Sequence, residues 1–178
     1  MISATDPDWS REKIIPGRYE PSKYLLAAIR SYQRLRSKSG LMARVARPFV
    51  VMKHRFWSAV TGADVPINST IGGGLMMPHP NGIVIHPDAV IGPNCLIFQQ
   101  VTIGEGLKPG LPVIDGHVDI GAGAKIIGSI RIGAHARIGA NAVVLEDVPE
   151  NATAVGIPAR VLKNKMTVAL FEKDIDHG

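Results

Sequence analysis

The chain has 178 residues, one cysteine, few aromatic residues and a formal net charge of +5, enough length for one domain plus an appendage with a real core. A lone thiol offers no disulfide framework, Met1 to Asp8 is polar and reads as no signal peptide, and no apolar run reaches membrane-spanning length. The expectation is a cytoplasmic protein, and the charge carries no interleaved aromatics or motif that would suit a nucleic-acid partner.

Taken in order, residues 1–20 hold Pro7, Pro16 and Gly17 and read as an extended arm. Ser22 is placed to cap a helix whose Tyr24, Leu25, Ala28, Ile29, Tyr32 and Leu35 recur at helical spacing. Ser37 to Gly40 breaks it, and a second helix is predicted over Leu41 to Val60, bent at Pro48. Between Arg30 and Arg55 stand eight cations and no acid. Such a run reads first as a solvated helical face, and second as a peripheral contact with an anionic membrane surface. Residues 1–61 are therefore an arm and a basic helical extension.

From Ile85 the pattern changes to a period of six. Ile85, Ile91, Ile97 and Ile103 are six apart, and the count resumes at Ile114, Ile120, Ile126, Ile132, Ile138 and Val144. Four places after each leader stands a second small or apolar residue, among them Ala89, Cys95, Val101, Val118, Ala124, Ala136 and Ala142. A helix repeats near 3.6 and an isolated strand near 2, so the pattern requires a β-solenoid with one short strand per hexapeptide. The leader and the fourth-after residue point inward, three hexapeptides make a coil, and residues 18 apart stack. Cys95 is thus a small core residue. Val65, Ile71 and Met77 form a less regular first coil. The phase slips by two residues through Pro78 to Gly82, and by five within Glu105 to Pro112, which must leave the solenoid as a loop. The solenoid spans 62–162. After Val148 an irregular close-out runs through Gly156, Ile157 and Pro158. Residues 163–178, with Val168, Leu170 and Phe171, form a capping segment or tail.

A three-sided prism has few pockets of its own and gains clefts where protomers pack, which makes a homotrimer natural. Near the irregularities stand His79, Asp64 and the 105–112 loop. His79 lies between Pro78 and Pro80, which deny it a helical or central-strand role. An imidazole suits removal of a proton from a hydroxyl, best with a carboxylate to orient it. Asp64, fifteen residues earlier, is close to one coil away. Against this stands a turn histidine bonded to backbone. His117 and His135, 18 apart, should stack on adjacent coils, but both face outward with no third ligand in spacing, so no metal site is expected. His54 and His86 have no assigned partner, and His177 falls in the tail.

Several segments resemble the hexapeptide acyltransferases of the left-handed β-helix type, in particular those similar to serine O-acetyltransferase. They are Gly62-Ala63-Asp64-Val65, Pro78-His79-Pro80-Asn81-Gly82, Phe98 to Gly104, Ile120 to Lys125, Ile138 to Val144 and Val155 to Arg160. The resemblance covers about two thirds of the chain, and the hexapeptides alone identify only the fold. It implies a left-handed parallel β-helix, His79 as general base and Asp64 as its orienting acid. It further implies acetyl-CoA as co-substrate, with Gly104, Ala122 and Ala140 lining its groove and Arg137, Arg160 and Lys163 meeting its phosphates. Direct transfer is implied, with no metal.

The departures concern the acceptor. Serine-specific members carry an acid before the catalytic His, where this chain has Pro78, and Gly-Glu where it has His86-Pro87. Their Arg-His pair in the second loop is replaced by Gly110-Leu111. A zwitterion needs fixed charges of both signs, so the expected acceptor is a neutral sugar hydroxyl of a surface-polysaccharide precursor. The alternatives are a serine O-acetyltransferase, a non-catalytic solenoid for assembly or ligand display, and a metal hydratase on the same fold.

Overall fold

Each coil lays one short strand on each of three faces, because each hexapeptide supplies one outward and one inward residue and then turns. The computed structural model describes residues 2–38, 40–107 and 109–162. The first face opens with a backbone bridge at Asp64 and continues through Val84–Ile85, Thr102–Gly104, Lys125–Ile127 and Val143–Val144. The second face stacks Thr70–Ile71, Val90–Ile91, Val113–Ile114 and Arg131–Ile132, closing with a bridge at Val148. The third runs from a bridge at Met76 through Leu96–Ile97, Asp119–Ile120, Arg137–Ile138 and Thr153–Gly156. All these pairings are parallel. Their register carries both slips: Thr70 pairs with Val90, Val84 with Thr102, Val90 with Val113 and Val113 with Arg131. The offsets of 20, 18, 23 and 18 are one coil plus two, one coil, one coil plus five, and one coil.

The phased leaders from Ile85 to Val144 are all at most 3% exposed, and the fourth-after residues at most 9%, except Leu107, which the second slip carries out into the loop fully exposed. Each large inward aliphatic contributes about 1.5–3 kcal/mol by leaving water. Two of the three corners turn through left-handed residues stacked coil upon coil. Between the second and third faces these are Gly74, Asn94, His117, His135 and Asn151; between the third and first they are Gly62, Gly82, Gln100, Gly123 and Asn141. At Gly74 and Gly123 an added Cβ would strike the amide oxygen of the Asn one coil on, Asn94 and Asn141 respectively. Glycine is required there by both φ and space.

An open first coil would expose strand edges and core. Helix α1 (Pro21–Arg36) closes it, with Leu25, Leu26 and Ile29 buried together with Val65, Ile71, Leu75 and Met77. Helix α2 (Leu41–Thr61) packs on α1, with Tyr24 stacked on Trp57 at 4.6 Å and His54 Nε2 bonded to the Val65 carbonyl at 2.9 Å. Gly62, left-handed, ends it.

Four expectations change. Ser22 does not cap α1: the cap position is Glu20, Pro21 takes the first turn, where its missing N–H costs nothing, and Ser22 is buried inside it. The arm is docked and includes a 3₁₀ turn at Trp9–Glu12. The buried Asn94 side chain holds it, donating to the Ser3 and Asp6 carbonyls and accepting from the Asp8 N–H. Arg30 is no solvated cation, being 8% exposed and paired with Glu12 at 2.8 Å. The close-out is regular, since Ala159–Val161 pairs antiparallel with Thr153–Gly156. The expected terminal cap over 163–178 lies outside the described residues.

Candidate active site

Asp64 sits where the chain enters the first face. Its N–H donates to the Ile83 carbonyl at 2.8 Å, and its carbonyl accepts from the Ile85 N–H at 2.9 Å, so its position is set by the ladder while its side chain stays exposed. His79 lies in the two-residue-longer corner that leads from the third face of the first coil to the first face of the second, also exposed. That corner is fixed by backbone: Gly82 N–H bonds the Gly62 carbonyl, and Gln100 N–H bonds the Asn81 carbonyl. His79 and Asp64 thus stand at the two ends of the first coil. No hydrogen bond among the described residues joins their side chains.

The residues expected to hold acetyl-CoA divide between faces. Ala122 and Ala140 stack at the corner between the third and first faces, where the Asn141 N–H bonds the Ala122 carbonyl at 2.8 Å. Gly104 ends its strand across the first face from them, and an added Cβ there would meet nothing within 4 Å. Its backbone is open to a ligand. Arg137 opens a strand on the third face, and Arg160, exposed, lies in the terminal hairpin. Lys163 lies outside the described residues. One protomer therefore assembles no closed groove from this set; two faces meeting at a cleft would.

His117 and His135 do stack, with their Nδ1 atoms 2.7 Å apart and the rings edge to face. One nitrogen must donate and the other accept. Burial first, then the neighbouring cations against Asp119, holds His117 below its usual pKa and favours a neutral ring. Burial also pushes the Cys95 thiol up to about 11, which leaves it inert at neutral pH.

Sequence reasoning missed the groups that the docked arm brings to the solenoid. Arg11 donates to the Asn94 carbonyl at 2.5 Å, and Glu12 accepts from the Gly74 and Leu75 N–H groups. The one available signal was Asn94 at a corner that needs a left-handed residue.

No family model matches the chain. It is 44% identical over 106 residues to a serine acetyltransferase of Synechococcus elongatus, covering 58% of this chain and 43% of that one. The soybean serine acetyltransferase complexed with serine superposes with a TM-score of 0.66 at 37% identity, over 80% of this chain and 57% of that one. The Brucella abortus serine acetyltransferase in complex with coenzyme A gives 0.67 at 32%, over 81% and 56%. The chain is similar to the hexapeptide-repeat serine acetyltransferases. Its fold is the left-handed parallel β-helix expected of that resemblance. The chain spans about half the length of the curated relatives it matches.

Proposed function

We propose that this protein is an acetyl-CoA-dependent O-acetyltransferase whose acceptor is L-serine. The observation that carries the reading is the likeness, over 80% and 81% of the chain, to serine acetyltransferases solved with serine and with coenzyme A. That likeness favours the serine alternative over the expected sugar acceptor, which no comparison supports. The argument for a sugar rested on Pro78, Pro87 and Leu111 standing where charges were wanted. Three apolar side chains exclude a zwitterion only if no other element supplies the charges.

In this reading His79 takes the proton of the acceptor hydroxyl as its oxygen attacks the thioester carbonyl of acetyl-CoA. The C–S bond then breaks, the CoA sulfur takes the proton back from the imidazolium, and the acetyl ester leaves. Asp64 orients and stabilises the imidazolium, and backbone N–H groups stabilise the oxyanion. Gly104, Ala122 and Ala140 let the pantetheine arm lie against the coils, with Arg137, Arg160 and Lys163 toward the phosphates. The groove closes between the protomers of a cytoplasmic homotrimer, and the basic face of α2 makes a peripheral membrane contact.

The test is thiol release from acetyl-CoA with L-serine against a panel of nucleotide sugars and polysaccharide fragments. A kcat/KM for serine at or above about 10⁴ M⁻¹s⁻¹, the lower end for a dedicated enzyme, supports the reading. Faster turnover of a sugar restores the other acceptor. No turnover with any of them, or a stoichiometric metal by elemental analysis, favours the binding module or the hydratase.

A further inference from the structure

Helices α1 and α2 meet around an open pocket of about 280 Å³, at the lower edge of the volumes that hold small ligands, roughly 300–1,000 Å³. It is lined by Arg36, Ser37 and Lys38 at the end of α1, Gly40 at the cap of α2, and Arg44 and Arg47 from the start of α2. Four of these six residues are cations, and none belongs to the β-helix.

Arg47 is the strut between the helices: its Nη2 donates to the Leu35 and Lys38 carbonyls at 3.1 and 3.2 Å. Among the described residues, the side chains of Arg36, Lys38 and Arg44 make no hydrogen bond or ion pair. The helices supply no counter-charge of their own, since no acid stands between Pro21 and Ala63. Like charges around one concavity repel, and an anion seated among them relieves that repulsion. The start of α2 adds to the field, because it has no side-chain cap and no acid in its first turn.

We propose that this pocket binds a dianionic phosphate group, the chemistry shared by a phosphomonoester lipid headgroup and free inorganic phosphate. The guanidinium forks of Arg36 and Arg44 offer paired N–H donors to its oxygens, and Lys38 adds a point charge. The proposal rests on the peripheral membrane contact proposed above and makes that contact selective for one kind of headgroup. Met42 and Val45 stand within two residues of Arg44 and are 87% and 56% exposed. A headgroup held here therefore leaves its acyl chains beside an apolar surface.

The test is co-sedimentation with phosphatidylcholine vesicles carrying either phosphatidic acid, a phosphomonoester, or phosphatidylglycerol, a diester, at matched surface potential. The wild type should bind the phosphatidic acid vesicles at least about five-fold more tightly, the worth of one cation at an anionic surface. Arg36→Gln with Arg44→Gln should lose that preference. Lys53→Gln with Arg55→Gln removes as much charge from exposed positions of α2 outside the pocket. It should weaken binding to both vesicles alike and keep the preference. Titration calorimetry with inorganic phosphate at fixed ionic strength separates the two sources. Phosphate binding that the pocket variant loses, with no vesicle binding by the wild type, would keep the site, assign it to free phosphate and remove the membrane contact. Vesicle binding that ignores the headgroup, with no phosphate binding, would overturn the site and leave the membrane contact standing. A preference for phosphatidic acid that survives in the pocket variant overturns the site as well. A wild type that binds neither vesicles nor phosphate removes both.

Discussion

Arg30 shows how one side chain can join three parts of the molecule. Its Nε and Nη2 meet the two Glu12 oxygens at 3.0 and 2.8 Å, its Nη1 and Nη2 donate to the Ile71 and Gly72 carbonyls at 2.6 Å each, and Nη1 also reaches Gln33 Oε1. All five donors are used, and Trp9 lies 5.4 Å over the guanidinium. Removing one partner of a buried pair leaves the other charge uncompensated, so Arg30→Met should lower stability by roughly 3–5 kcal/mol. Denaturant unfolding measures it, and a loss under 1 kcal/mol would show that the network is not a clamp. At His79 the expected effect is on rate: His79→Ala should lower kcat/KM by about 10²–10⁴ with Tm unchanged, and Asp64→Asn by less, since it disturbs orientation without deleting the base. Near-normal turnover by His79→Ala would remove general-base catalysis from this residue.

At the scale of elements, the hexapeptide phase was legible because a narrow interior forces one aliphatic into each strand. The two slips were legible by counting, and they return as the register offsets of the first and second coils. The docked arm was not, because Asn94 and Asn141 hold equivalent corner positions and only the first lies buried beneath a second segment. Nor was the division of the basic stretch. Arg30 turned inward toward an acid 18 residues away in a segment without periodicity. What remains outward on α2 is a stripe of Met42, Val45, Phe49, Met52 and Phe56, three and four residues apart and each more than half exposed. No acid stands between Pro21 and Ala63, against nine cations. Pairing two such helices would set Lys53 and Arg55 against like charges, whereas an anionic lipid surface would take both the stripe and its basic flanks. The protein should sediment with vesicles containing phosphatidylglycerol and not with phosphatidylcholine alone. Phe49→Glu with Met52→Glu should abolish that. A change in oligomeric mass in this variant, with no vesicle binding by the wild type, would assign the stripe to another copy.

At the scale of the whole molecule, the residues proposed to hold acetyl-CoA do not share one surface. Gly104 opens onto the first face, Arg137 stands on the third, and Ala122 and Ala140 lie at the corner between them. A ligand long enough to touch all of them needs a second wall. Closed threefold packing of a three-sided prism would set the first face of one protomer toward a different face of the next, and would supply that wall in three equivalent clefts. Light scattering should give a mass near three chains, and a stable, active monomer would rule out the shared cleft. A sharper result comes from mixing two inactive parents. His79→Ala lacks the base, and Gly104→Trp would fill the open space above the strand while leaving His79 intact. If each cleft takes His79 from one protomer and Gly104 from its neighbour, trimers reassembled from both variants contain some clefts with neither change. Activity should then return to a substantial fraction of wild type. Mixed trimers, confirmed by mass, that stay as inactive as their parents would place both residues in the same protomer's site.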